Sequence, residues 1–175
     1  TGILLFSRSK AGAQQLDKAF RTGRVKKQYL AVTETCPQKP SGEVNSPIDG
    51  KAAQTIYQVV SKGPYGTLVQ VHPNTGRTHQ IRIHLAELKA PLKGDARYGD
   101  PIDRRAFRTL LHCEEIAFGQ NRWRVAPPPD FALALGRNPH RLRQDLVDDA
   151  NTTVFREING SADGSPGIQV DRYGD

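Results

Sequence analysis

Two short alternating runs, residues 54–60 and 67–71, flank Lys62-Gly63-Pro64-Tyr65-Gly66, and this arrangement constrains the fold more than any other feature of the sequence. The runs are rich in β-branched residues and the segment between them is built of turn formers, so a β-hairpin is predicted. An isolated hairpin is marginal in water, and the rest of the chain has to supply further strands or a covering helix. Residues 28–33 read as such a strand. Its alternation places Leu30 and Val32 with Gln28 on one face and Tyr29, Ala31 and Thr33 on the other, so Tyr29 is predicted to point away from the more apolar side. Residues 110–118 read as another strand, and residues 3–7 as a buried strand end.

Ser9 offers an N-cap hydroxyl to a helix over residues 11–20, and Gly23 closes it. A second helix, over residues 78–88, carries Ile81, Leu85 and Leu88 at helical spacing directly after the turn cluster His72-Pro73-Asn74-Thr75-Gly76. Pro91, Gly94 and Gly99 break the chain again, and Pro127-Pro128-Pro129 marks the end of the compact region, with a boundary near Leu135. Helices and hairpins without regular strand–helix alternation predict an α+β fold.

A chain of 175 residues with 37% hydrophobic content can bury a core. It has no apolar run of about 18 residues and no charged-then-apolar leader, so neither a membrane span nor a secretory signal is read from it, and a cytoplasmic location is expected. Cys36 and Cys113 lie far apart without metal-ligand spacing, which gives neither a disulfide framework nor a zinc site. The formal charge of +7 is unevenly spread: residues 1–100 carry 15 basic and 7 acidic side chains, residues 141–175 only 4 and 7. The first part is suited to a polyanion, although a solvated basic surface has the same composition.

The densest polar segment is Gly76-Arg77-Thr78-His79-Gln80-Ile81-Arg82-Ile83-His84, at the start of the second helix. Unpaired backbone N–H groups and the positive dipole end favour anions there. His79, Arg82 and Ala86 share one face, so Arg82 can point into a cleft while Ile81, Leu85 and Leu88 bury the helix. His79 and His84 are five apart, about 140° around the helix, and do not form a metal-binding pair. No metal is expected.

This segment, followed by Leu92-Lys93-Gly94-Asp95 and Tyr98-Gly99, resembles the signature of the RluA-type pseudouridine synthases. The likeness extends to Thr1-Gly2-Ile3-Leu4-Leu5-Phe6-Ser7-Arg8, similar to the end of the family's HRLDxxTSGLLLFAK motif. Lys26-Lys27-Gln28-Tyr29-Leu30-Ala31 is similar to its KxYxA strand, and Leu111-His112-Cys113 with Ile116-Ala117-Phe118 to its LHAxxLxF strand. Cys113 replaces the usual alanine, and Gly119-Gln120 stands where His-Pro is common. The resemblance covers residues 1 to about 135.

It implies a pseudouridine synthase fold, a mixed, largely antiparallel sheet with flanking helices and a central RNA-binding cleft, and isomerisation of uridine to pseudouridine in RNA, with ribosomal RNA the expected substrate and no cofactor. It also implies that the nucleophilic aspartate lies in the HRLD element, a few positions before Thr1. No Asp of this chain matches it, so the 175 residues alone are expected to be inactive. Arg82 matches the family arginine that pairs with the catalytic carboxylate. Tyr29 matches the active-site tyrosine, placed to stack on the target uracil and a candidate for removing a ribose proton. Arg77, His79 and Gln80 are read as supporting or RNA-contacting groups. Arg21, Arg24, Lys26 and Lys27, around the turn into the Tyr29 strand, are expected to form part of the RNA track.

Beyond a linker at residues 136–142 the sequence changes character. A polar helix is expected around residues 142–147, then strands over residues 152–158 and 168–173 joined by a Gly- and Pro-rich turn. Phe155-Arg156-Glu157-Ile158-Asn159-Gly160 and the segment from Asp163 to Asp175 resemble the FRLVNGExDGLPGLVVDRYGD opening of a class of S-adenosylmethionine-dependent rRNA methyltransferases. The expectation is a fusion in which residues 143–175 begin a methyltransferase-like domain, whose cofactor-binding motifs would lie beyond Asp175. Two rival readings remain: a catalytically inactive RNA-binding module, and the RNA-delivery half of an rRNA methyltransferase fusion.

Overall fold

In the computed structural model the structure describes residues 1–99 and 108–136, together with the backbone of two strands, β7 (Val154–Asn159) and β8 (Gln169–Tyr173). The first helix, α1, runs Lys10–Arg21, with the Ser9 hydroxyl accepting from Gly12 N–H at 3.1 Å as the sequence predicts. Gly23 follows at φ 67°, a left-handed conformation that glycine adopts without strain.

Six strands form one sheet: β1 Val25–Thr33, β2 Ser41–Val44, β3 Thr55–Lys62, β4 Thr67–Pro73, β5 Leu111–Phe118 and β6 Asn121–Arg124. The spatial order is β2-β3-β4-β1-β5-β6, and the pairings between these neighbours are antiparallel. Among the described residues the parallel component is confined to a single bridge from Gly2 to Cys113. The predicted hairpin is β3–β4, its turn closed by Gly63 N–H to the Gly66 carbonyl at 2.8 Å. A side chain at Gly63 would collide with the Leu135 carbonyl at 2.0 Å, which is why the turn needs glycine there.

The second helix, α2, runs Gln80–Glu87, and a third, α3, runs Asp130–Ala134. Leu30, Val32, Leu68 and Leu110 pack against Phe131 and Leu135 in one cluster. Ala31, Val69 and Val71 pack against Ile81, Leu85 and Leu92 in another, which follows from the alternation of β1. Ala19 of α1 meets Val25, Cys113 and Ile116 in a third.

Several expectations are corrected. Residues 3–7 form no strand: Ile3 N–H bonds the Cys113 carbonyl at 3.0 Å, while Leu4 and Phe6 stand exposed. The Tyr29 face of β1 is as apolar as the Leu30 face, because α2 covers it. The triple proline leads into α3, whose Phe131 fills the core, so the compact region continues through Leu135. In the tail, β7 and β8 pair antiparallel where two strands were expected. The expected helix at residues 142–147 lies outside the described residues.

Candidate active site

On the face of the sheet that carries α1 and α2, a cavity of about 260 Å³ opens between β1, the loop after β4 and the start of α2. Tyr29 and Lys27, two apart on β1 and so on one face, reach it from the sheet; Gly76, Arg77, His79 and Arg82 reach it from the other side. Tyr29 is paired with Val71 on one flank and Cys113 on the other. Its half-buried ring packs against both the α2 cluster and the α1 cluster. Burial, reinforced by the Cys113 thiol beside it, pushes the phenol pKa well above its ordinary value. Through the neutral range Tyr29 therefore offers a ring face and an O–H group, not a phenolate.

Arg82 is held before any substrate arrives. Its Nε donates to Asp95 Oδ2 at 2.7 Å and its Nη2 to Asp95 Oδ1 at 2.6 Å, a two-point fork that fixes the guanidinium plane. Asp95 is 1% exposed, and its Oδ1 also accepts from the backbone N–H groups of Arg97 and Tyr98, at 3.0 and 3.1 Å. Burial opposes the charge on Asp95, but the Arg82 fork and the two N–H groups outweigh it and hold the carboxyl below the usual range. Tyr98 then lies over the guanidinium, 5.0 Å from Arg82 Cζ to the ring centroid, and its hydroxyl meets His79 Nδ1 at 3.2 Å. His79 itself sits at φ 55°, uncommon for a residue with a Cβ, and so turns its ring edge-on to Tyr98.

The opposite face of α2 is closed. Gln80 Oε1 accepts from Thr75 Oγ1 and Arg77 N–H, and its Nε2 donates to the Gln54 carbonyl and Thr55 Oγ1, so both amide N–H bonds and both oxygen lone pairs are used inside the fold. Gln80 also lines the cavity, and its amide pins the 75–77 loop to β3. His84 is likewise internal, bonded to Thr55 Oγ1 at 2.8 Å and the Ser46 carbonyl at 3.1 Å. Arg77 spends its Nε on the Ala52 carbonyl at 2.9 Å and still lines the cavity.

The sequence matches the family model described as RNA pseudouridylate synthase over residues 1–87. The dual-specificity RNA pseudouridine synthase RluA of Escherichia coli K12 is 34% identical, over 75% of this chain and 69% of that protein. The chain belongs to the RluA-type RNA pseudouridine synthases. An uncharacterised RNA pseudouridine synthase of Zymomonas mobilis is also 34% identical, over 66% of this chain, which spans 61% of that relative's length. Among solved structures, human RNA pseudouridylate synthase domain containing 4 superposes with a TM-score of 0.63 at 28% identity, covering 77% of this chain and 69% of that one.

In this synthase domain the structure gathers Lys27, Tyr29, Arg77, His79, Gln80 and Arg82 around one cavity. It leaves Arg21, Arg24 and Lys26 exposed outside the cavity, with Arg21 paired to Asp17 at 3.0 Å and Lys26 on the opposite face of β1 from Lys27. Of the four basic residues expected to form part of the RNA track, Lys27 thus lines the cavity and the other three lie outside it. Asp95 and Tyr98 were missed as site residues although both lie in the quoted signature. Their value depends on Arg82, 13 positions before Asp95, and spacing alone does not display that partnership.

Proposed function

We propose that this protein isomerises uridine to pseudouridine in RNA, with ribosomal RNA as substrate, and that it works in the cytoplasm. The observation that carries the reading is the cavity in which the two motif residues Tyr29 and Arg82 meet, with Arg82 already oriented by Asp95. The reaction breaks the bond from ribose C1′ to uracil N1 and forms one from C1′ to C5, with loss of the C5 hydrogen and gain of one at N1. Tyr29 offers the extruded uracil a stacking face; extrusion costs a few kcal/mol, offset by stacking and phosphate contacts. Its raised pKa favours stacking over proton removal unless another group takes the phenol proton first.

The nucleophile is proposed to be the aspartate of the HRLD element that the family carries before the position of Thr1. Asp95 is unsuited to that role because its carboxylate is already held by Arg82 and two backbone N–H groups. Given an anionic nucleophile within reach, the outer edge of Arg82 would keep it ionised and aimed. Release of tritium from C5-labelled uridine in ribosomal RNA, catalysed by the complete gene product, tests the proposal. RNA binding without release would select the inactive binding module instead.

The paired strands β7 and β8 coincide with the segment that resembles a methyltransferase opening. On that basis we propose that the complete protein also carries a domain using S-adenosylmethionine; no residue of these 175 is assigned to hold it. Failure of the complete protein to bind S-adenosylmethionine or to methylate RNA would remove this part of the reading.

A further inference from the structure

The isomerisation as described does not use two of the cations, Arg77 and Lys27, that reach the cavity. Lys27 lines it beside Tyr29, on the same face of β1, and its ammonium leans over the Phe20 ring, with Nζ 5.7 Å from the centroid. From there it reaches across the mouth, since a side chain at Gly76 would meet Nζ at 3.8 Å. Of the basic groups around it, Arg82 holds Asp95, Arg21 holds Asp17, and Arg77 gives its Nε to the Ala52 carbonyl. Among the described residues Lys27 has no ion pair.

Half-burying an ammonium without a partner costs free energy, and here burial lowers its pKa. The fold retains it on an otherwise apolar row of the sheet, where Lys27 pairs across to Ile116. A charge kept in such a place is suited to an anion that arrives from outside. Successive same-face residues of a strand stand about 6.6 Å apart, a step comparable to that between a nucleobase and its own phosphate group. With the uracil on Tyr29, the phosphate of the same nucleotide falls next to Lys27.

We propose that Lys27 binds a phosphodiester oxygen of the extruded nucleotide, and so acts as a cation within the cavity, apart from the outer surface formed by Arg21, Arg24 and Lys26. The inference rests on the reading of Tyr29 as the uracil platform. It gives Lys27 a role in fixing the sugar–phosphate while the base is detached and turned.

The test is a double cycle on the complete gene product, using wild type and Lys27→Met against a ribosomal RNA fragment with an ordinary phosphate or a neutral methylphosphonate at the target nucleotide. Expected is a roughly 10-fold weaker Kd on losing either charge, with no further loss on losing both. The slope of log Kd against log salt should fall by about 0.7 in Lys27→Met and return in Lys27→Arg. A purely structural lysine would change the melting temperature and leave that slope alone. Independent losses that multiply, or an unchanged salt slope, overturn the inference while leaving the isomerase reading intact. A wild-type protein that binds no RNA overturns both, whereas binding and a coupled cycle without tritium release would support Lys27 and sink only the isomerase reading.

Discussion

Two buried carboxylates in this fold are each gripped by an arginine, and the grips differ in what they leave free. Asp95 is forked by Arg82 through two different oxygens, and its spare acceptor capacity goes to the backbone of a turn. Glu114 receives Arg124 Nε and Nη2 on one oxygen, at 3.0 and 2.7 Å, and Gln28 Nε2 on the other at 2.7 Å. Glu114 occupies the bulge of β5, where Gln28 faces Glu115 and Tyr29 faces Cys113, so its network ties β1, β5 and β6 together. Arg124 looks outward with 38% of its side chain exposed, whereas Arg82 is 20% exposed and edges the cavity. The same pairing chemistry thus serves as a cross-tie in one place and, on the proposed function, as a preset catalytic cation in the other. Burial of a charge pair does not by itself distinguish the two roles; the position of the arginine's free edge does.

The largest effect that separates the two sites is expected from Arg82→Lys in the complete protein. Lysine keeps the charge but loses the planar fork. Tritium release should fall by about 100-fold or more, as for loss of one preorganised donor, with a small change in melting temperature. Activity within a few-fold of wild type would place the catalytic cation elsewhere. Asp95→Asn comes next. It preserves shape while leaving Arg82 without its counter-charge, so stability should drop by roughly 3 kcal/mol and turnover by roughly 10-fold as the guanidinium loses its fixed plane. Denaturant unfolding and turnover measured on one preparation would show whether both fall together. Turnover unaffected despite lost stability would reduce Asp95 to the same status as Glu114.

Glu114→Gln is the opposing case. The exposed part of Arg124 is screened by solvent, so the loss should be smaller, about 1 kcal/mol, with turnover within about twofold of wild type. A large catalytic loss here would mean that the bulge positions Tyr29, and the contrast between the sites would narrow.

What the sequence disclosed follows the same division. The Ser9 cap, the β3–β4 hairpin and the buried stripe of α2 were legible because each is decided by neighbours a few residues apart. Tyr29 and Arg82 were legible through motif resemblance, and the sheet brings them to one cavity. Asp95 and Glu114 were not, because a buried acid has no local pattern; its partner comes from another element. Phe131 and Leu135 were hidden for a related reason, since three prolines read as an ending although the helix after them closes the core. Strands β2 and β6, four residues each, are too short to show alternation.

The smallest expected effect is a difference in acid sensitivity, and it divides into two windows. His112 lies on β5 with Nε2 facing the Val125 carbonyl at 3.1 Å and Nδ1 facing the Thr1 hydroxyl at 2.9 Å, so Nε2 carries the proton and the ring is satisfied when neutral. Burial lowers its pKa. A base whose folded pKa is depressed stabilises the fold above its unfolded value of about 6.5 and loses that contribution as pH falls toward the folded value. Asp95, also depressed, contributes above its unfolded value of about 3.9 and loses that contribution only as pH falls further, through the folded value. Unfolding free energy should therefore decline first below about pH 6.5 and again below about pH 4. Asp95→Asn should remove the second decline and leave the first, and His112→Gln should do the reverse. If Asp95→Asn left the acid limb parallel to wild type down to pH 2, the Arg82 fork would not be what holds the Asp95 carboxylate ionised, and the contrast with Glu114 would lose its electrostatic basis.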